Sequence, residues 1–228
     1  MFFKRSFQKE IMDDMSIQGE PLDDAFQELA RINRWLGGCS TSLEGINSLV
    51  IDLPRRDALS ILDVGAGGAD IVDAVQTKFA NVSFTAFDLN QGACRTAAKR
   101  HPSITVVQGS VFALPFQDQS FDIIHVSLFL HHFTEQELHG ILRTLMNAAR
   151  YGIVINDLRR SLFAYIGISI LTRLFSRSAM VKNDGPLSVR KGFTKMELTR
   201  LCMTLSPNSF SIRRKWAYRW LVCLKKVP

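Results

Sequence analysis

Long hydrophobic runs are missing from this sequence. No apolar stretch reaches the roughly 18–20 residues that a membrane-spanning helix needs. The opening Met1-Phe2-Phe3-Lys4-Arg5-Ser6-Phe7 leads into charge instead of an apolar signal core, so secretion is not expected. Cysteine is scarce and unpatterned. Cys39, Cys94, Cys202 and Cys223 form no C-x-x-C pair and have no histidine at ligand spacing, which argues against zinc or disulfides, leaves no metal expected, and fits free thiols in a reducing cytoplasm. Acidic residues are nearly absent from the last third: residues 151–228 hold 15 Lys+Arg against 3 Asp+Glu, whereas residues 1–150 hold 13 against 18. The net charge of +7 therefore belongs to one end of the chain, and a nucleic-acid partner is disfavoured as its explanation. Internal repeats and low-complexity linkers are also lacking, so residues 1–228 are expected to form one domain.

What is present is material for a core: 46% of the 228 residues are hydrophobic, 16 of them Phe, and 21% are charged, a globular composition. Leu22, Phe26, Leu29, Ile32, Trp35 and Leu36 recur at helical spacing up to Gly37-Gly38, and a second helix is expected over about Ser42 to Leu53, ending before Pro54. From Ser60 the pattern changes. Short apolar runs at Ser60–Val64, Val82–Phe87, Ile104–Val107, Phe121–Ser127 and Gly152–Ile155 alternate with helical stretches at Ile71–Phe79, Ala93–Arg100 and Glu135–Ala149. That alternation predicts an α/β fold with a doubly wound, mostly parallel sheet. Leu162–Phe175 reads as a buried or lid helix, Lys182–Ser188 as a loop of turn formers, and Thr194 with Glu197 as a capping box opening a helix to about Thr204. Ser209–Lys215 and Tyr218–Leu224 are expected to close the sheet, which makes seven strands, as an antiparallel pair.

Two sites stand out along the parallel strands. Asp63-Val64-Gly65-Ala66-Gly67-Gly68-Ala69-Asp70 joins a strand end to a helix start, where glycines allow a sharp turn and close approach of backbone N–H groups to a ligand. Asp70 occupies the last position of the dinucleotide G-x-G-x-x-G spacing, where a carboxylate would face a pyrophosphate, and Asp63 suits a ligand bearing an ammonium or sulfonium. Asp88 ends the second strand, 25 residues after Asp63, and its two oxygens can accept from two adjacent ribose hydroxyls.

With these blocks, the Gly109-Ser110-Val111-Phe112-Ala113-Leu114-Pro115-Phe116 segment, Ser120-Phe121-Asp122-Ile123-Ile124 and Leu130-His131-His132-Phe133, the stretch from Ser60 to Leu158 resembles the class I S-adenosylmethionine-dependent methyltransferases. The resemblance implies a Rossmann-like fold divided into a helical N-terminal lid (1–55), a cofactor-binding core (56–158), a substrate-side insert (159–192) and a C-terminal helix with a strand pair (193–228). It implies that Asp63, Gly65, Ala66 and Gly67 hold the methionine portion, Asp88 the ribose, Leu89, Ser110 and Val111 the adenine, and that Ser127 lies beneath the methionine end. Two departures are Ala69, where a glycine usually closes the loop, and Ser110, where an acid usually receives the adenine amino group. The candidate bases are His131, His132 and Asp157; Arg31, Arg34, Trp35, Arg159, Tyr165 and Asn183 are the candidate substrate-side residues.

The arrangement is similar to the small-molecule branch of the family, as in ubiquinone and menaquinone biosynthesis. It is similar also to bacterial secondary-metabolism enzymes with an Arg-Ile-Asn-Arg-Trp-Leu-Gly-Gly helix and an Asn-Asp-Gly-Pro-Leu-Ser loop. It implies methyl transfer to a largely apolar, aromatic or polyketide-like acceptor, with oxygen favoured over carbon. An RNA methyltransferase and a non-catalytic cofactor-binding module are the alternatives. Peripheral membrane contact is left open, as is a monomer or a homodimer.

Overall fold

The computed structural model describes residues 4–14, 17, 19–51, 53, 58–79, 81–205 and 207–226. The Met1-Phe2-Phe3 start and Pro54 lie outside them. Five strands, β1 (Leu59–Val64), β2 (Val82–Asp88), β3 (Thr105–Gln108), β4 (Phe121–Ser127) and β5 (Ala149–Leu158), run parallel; β6 (Ser209–Lys215) and β7 (Arg219–Lys225) complete a sheet of order β3-β2-β1-β4-β5-β7-β6. β7 is antiparallel to both β5 and β6. The expected architecture is the observed one.

The parallel strands read as apolar runs because both faces of the sheet are covered. Alternate residues supply two cores: Leu62, Ile124, Ile153, Ile155, Trp220 and Val222 pack with α5 (Glu135–Ala148) and α8 (Lys195–Thr204) on one face. Ile61, Ile123, Val154, Leu221 and Cys223 pack on the other with α2 (Gly38–Val50), α3 (Val72–Lys78) and α4 (Gln91–Arg100). Reciprocal capping boxes, Thr134 with Glu137 and Thr194 with Glu197, start α5 and α8 where the sequence predicts.

Strand order reverses between β1 and β4, so the carboxyl ends of β1, β2, β4 and β5 open on one crevice, the position at which doubly wound sheets bind ligands. Two helices of the insert, α6 (Leu162–Phe175) and α7 (Ala179–Lys191), and the N-terminal α1 (Glu20–Trp35) cover it. The α1 helix is tied near its start and at its middle. Asp23 accepts from Thr96 of α4, while Glu28 accepts from the Ser176 hydroxyl and from the Arg177 and Ser178 N–H groups in the α6–α7 link.

One local expectation is overturned. The Lys182–Ser188 segment is the middle of helix α7, not a loop, although it contains Gly185 and Pro186. The turn formers serve tertiary contacts there. A Cβ on Gly185 would sit 3.3 Å from Ile168 and Thr172, so glycine lets α7 approach α6, and buried Asp184 accepts from the Ile11 and Met12 N–H groups at 2.8 and 2.9 Å. These contacts override the turn propensity that was the only local signal.

Candidate active site

The crevice encloses a cavity of about 960 Å³. Its floor is the glycine loop: Gly65 and Gly67 have φ of +68° and +53°, a conformation glycine adopts freely. A Cβ on Gly65 would fall 2.2 Å from the Phe129 ring, and Phe26 of α1 reaches over Gly67. Ala69 sits at φ +56° with its side chain fully buried, so the left-handed turn is kept where the resemblance expects glycine. Asp88 Oδ2 accepts from Gly67 N at 2.9 Å, and Oδ1 accepts from Asn90 N at 2.8 Å. Each carboxylate oxygen keeps lone pairs for a further donor. Burial raises the Asp88 pKa, with these N–H groups opposing the rise.

Asp63 does not line the cavity. Its carboxylate is buried and lies 2.7 Å from His125 Nδ1; His125 Nε2 meets Ser42 Oγ at 2.8 Å. The same Ser42 oxygen accepts from Asn156 Nδ2, whose Oδ1 accepts from Arg219; Arg219 also donates to Asn33 Oδ1 and to the Leu36 carbonyl. Burial brings the Arg219 pKa down to about 10, partly offset by Asp157. A continuous polar chain thus runs from the end of β1, across β4 and β5, to the last turn of α1. His125, Ser42, Asn156, Arg219 and Asn33 were not singled out from the sequence. The one legible hint is His125 and Asn156, polar residues at positions of β4 and β5 that are otherwise apolar.

On the far side of the cavity, a short 3-10 turn carries His131 and His132 after β4. His131 Nδ1 lies 2.7 Å from Asp157 Oδ1, and Asp157 also accepts from the His131 and Leu158 N–H groups. Against these rings stands a strap formed by residues 4–14. Glu10 Oε1 lies 3.7 Å from His131 Nε2, Asp13 Oδ1 lies 3.0 Å from His132 Nδ1, and Arg5 donates to the His131 carbonyl. Lys191 lies 3.1 Å from Glu10 and 3.5 Å from Asp13. Burial disfavours the His131 cation, but Asp157 and Glu10 outweigh it and lift the pKa to about 9. Burial likewise opposes ionisation of Glu10, and the attraction of His131, His132 and Lys191 brings its pKa down to about 2. Among the described residues, Glu10, His131 and His132 form the group whose spacing could hold a metal ion. Lys191 already places an ammonium against Glu10 in that group, so its charge is met without one.

Gly65, Gly67, Asp88, Leu89, His131, His132 and Arg159 come together on the cavity wall. Ala66, Ser110, Val111, Ser127 and Asp157 do not line it: Ser110 Oγ accepts from Phe112 N, and Asp157 stands behind His131. The remaining substrate-side residues are dispersed. Trp35 is 65% exposed, Arg31 donates to the Gln27 carbonyl, Asn183 is exposed on α7 and donates to Asp184, and Tyr165 is half-buried outside the lining. Arg34 lines a second, smaller pocket with Cys39, Asp70 and Arg100, where burial pushes Asp70 up to about 6. Phe129, Phe163, Leu171, Trp216 and Tyr218 line the large cavity, and none was singled out as a site residue from the sequence.

Residues 61–152 match the family model of a methyltransferase domain. The chain is 28% identical over 88 residues to the demethylmenaquinone methyltransferase of Chlorobaculum tepidum, covering 36% of each protein. It is 33% identical over 76 residues to a phthiotriol/phenolphthiotriol dimycocerosates methyltransferase of Mycobacterium tuberculosis, covering 32% of this chain and 27% of that one. The matches thus span about a third of these relatives' length. Among solved structures, the plantazolicin methyltransferase BpumL in complex with SAH aligns with a TM-score of 0.70 at 14% identity over 89% of both chains. A SAM-dependent methyltransferase from Aquifex aeolicus aligns at 0.65 and 13%, covering 92% of this chain and 100% of that one. The shared fold is the Rossmann-like methyltransferase fold.

Proposed function

We propose that this chain, a class I methyltransferase by its fold and by the domain match over residues 61–152, transfers a methyl group from S-adenosylmethionine to a largely apolar small molecule, at oxygen. The observation that carries this reading is the shared cavity: the glycine loop and Asp88 open into the same space as the apolar insert and the two histidines. The residues fit the cofactor. The Asp88 oxygens retain capacity for two ribose hydroxyls, and Gly65 and Gly67 add no side chain of their own to the loop, against which Phe129 and Phe26 pack. In this reading Leu89, Ser110 and Val111 flank the adenine, and buried Asp63 contributes negative charge at the end of β1. The cofactor supplies an electrophilic methyl group, so the protein's work is to position the acceptor and take up its proton.

Of the candidate bases, we assign that proton to His132. His131 is held as a cation by Asp157 and Glu10 up to about pH 9 and so cannot accept a proton at neutral pH. Asp157 is buried behind it and acts as a positioning residue. His132 has a side chain 23% exposed against 2% for His131 and lines the cavity. Phe129, Phe163, Leu171 and Trp216 offer the acceptor apolar surface, and Arg159, stacked 4.7 Å over Tyr218, supplies a cation at the same wall.

The test is transfer of label from methyl-labelled S-adenosylmethionine into apolar phenolic acceptors, with cofactor binding followed by calorimetry. Binding with transfer supports the reading. Absence of binding at millimolar cofactor overturns it, and binding without transfer to any acceptor favours the non-catalytic module.

A further inference from the structure

Helix α6 leaves an apolar stripe exposed. Leu162, Phe163, Ile166, Ile170 and Leu174 fall on one arc of the helix at 100° per residue, and they are 46 to 74% exposed. The side facing α7 carries Thr172 and Ile168, with half-buried Tyr165 and Ser169 nearby; Thr172 is fully buried, and its hydroxyl donates to the Ile168 carbonyl. A surface helix in water turns its apolar stripe toward the core. Here the apolar stripe faces out, although the inner face packs closely enough on α7 to require Gly185. A contiguous exposed patch of this kind marks an interaction surface.

The charge around the stripe is of one sign. Between residues 159 and 192 the sequence has seven Lys+Arg and a single acid, Asp184. That acid is buried and engaged with the N–H groups of Ile11 and Met12. Arg173, Arg177 and Lys182 are exposed at the carboxyl end of α6 and on α7. The nearest acid of α1, Glu28, is turned to Ser176, Arg177 N and Ser178 N. A second copy of this chain would bring like cations together. An anionic lipid surface offers both halves of what the patch lacks: acyl chains for the leucines and isoleucines, and negative headgroups for the arginines.

The stripe is also continuous with the mouth of the cavity. Phe163 is 74% exposed and lines the cavity, as do Gly167, Ile168 and Leu171 of the same helix. Trp216, in the β6–β7 turn, is 73% exposed and lines the same cavity. Aromatic rings at an opening between water and apolar space match the residue preference of the bilayer interface. We infer that α6 docks the protein on an anionic membrane surface, with Phe163 and Trp216 at the point where an apolar acceptor passes from the bilayer into the cavity. The docking stands apart from the methyl-transfer reading; the passage of the acceptor rests on it.

Flotation of the full chain with vesicles of phosphatidylcholine alone, or mixed with phosphatidylglycerol, tests the docking. The wild-type chain is expected to float with the mixed vesicles, to bind phosphatidylcholine weakly, and to be partly released by salt. Ile170→Asp with Leu174→Asp should lower partition at least about tenfold on both vesicle types. Arg173→Ala with Arg177→Ala should lower it about fivefold per cation on the anionic vesicles only. All these positions are exposed and far from the glycine loop in sequence, so melting temperature and calorimetric cofactor affinity should be unchanged in each variant. Failure of methyl transfer with vesicle binding intact would then sink the functional reading and leave docking standing. No flotation of the wild-type chain with either vesicle overturns the docking inference. So does flotation that survives Ile170→Asp with Leu174→Asp, or a dimer in light scattering that those substitutions abolish in place of vesicle binding.

Discussion

His131 Nδ1 lies 2.7 Å from Asp157 Oδ1, and both side chains are sealed from solvent between the turn after β4 and the end of β5. The folded-state pKa of His131, about 9, exceeds its unfolded value of about 6.5. Its contribution to stability is therefore complete below about pH 6.5 and is lost as pH rises through about 9. The pKa of Asp157 is lowered, burial being outweighed by His131, so its contribution is present above about pH 4 and is lost on acidification. Urea unfolding from pH 6 to pH 10 should show stability falling toward the alkaline end, and Asp157→Asn should flatten that fall. An unchanged slope in the variant would sever the pair.

Asp88→Ala removes the acceptor assigned to the ribose. Hydrogen bonds to a charged group are worth about 1.5–3 kcal/mol, so cofactor affinity should fall at least about tenfold in calorimetry. Part of that loss reflects the loop itself, because Gly67 N and Asn90 N lose their acceptor. Asp88→Asn, which keeps an oxygen for one of them, should lie between alanine and wild type. Equal affinity in all three proteins would remove Asp88 from the site.

His132→Gln should lower methyl transfer about 10²- to 10⁴-fold while leaving cofactor affinity unchanged, as expected for loss of a general base. His131→Gln should act differently. It leaves Asp157 buried without its cationic partner, so thermal stability should drop along with activity. Transfer unaffected by His132→Gln would return the role of base to an open question.

Gly45 faces β5 and β7 from α2, where a Cβ would lie 2.4 Å from Val154 Cγ1 and 2.8 Å from Leu221 Cδ1. Both neighbours are fully buried, so neither can yield cheaply. Gly45→Ala should therefore destabilise the fold by about 1–3 kcal/mol, measured by denaturant unfolding. No loss of stability would mean that α2 can move away from the sheet.

Much of this fold is local in origin and was legible for that reason. Strand β4 reads as a strand from Phe121, Ile123, Ile124 and Val126, apolar because both of its faces are covered, and Thr194 with Glu197 announces α8 within four residues. The loop at Gly65 and Gly67 and the acid at Asp88 are written at strand ends, where the chain itself marks the place. Asn183-Asp184-Gly185-Pro186 shows the opposite case. Every residue in it favours a turn, and the segment is helical because its contacts are with Ile11, Met12, Ile168 and Thr172, which no local window contains.

The sequence by itself determined the α/β alternation, the seven strands, the glycine loop and its partner acid, since each depends on residues a few positions apart. Only the tertiary structure decided what surrounds them. It brought Glu10 and Asp13 against His131 and His132, joined Asp63 to Asn33 through His125, Ser42, Asn156 and Arg219, and turned the apolar stripe of α6 outward. The first two depend on residues between 62 and 186 positions apart, as Asp63 is 62 from His125 and Asn33 is 186 from Arg219, and the third on which face α7 occupies. Such pairings leave no period or spacing in the chain. They exist because packing around the sheet forces buried charges to find partners wherever the fold supplies them.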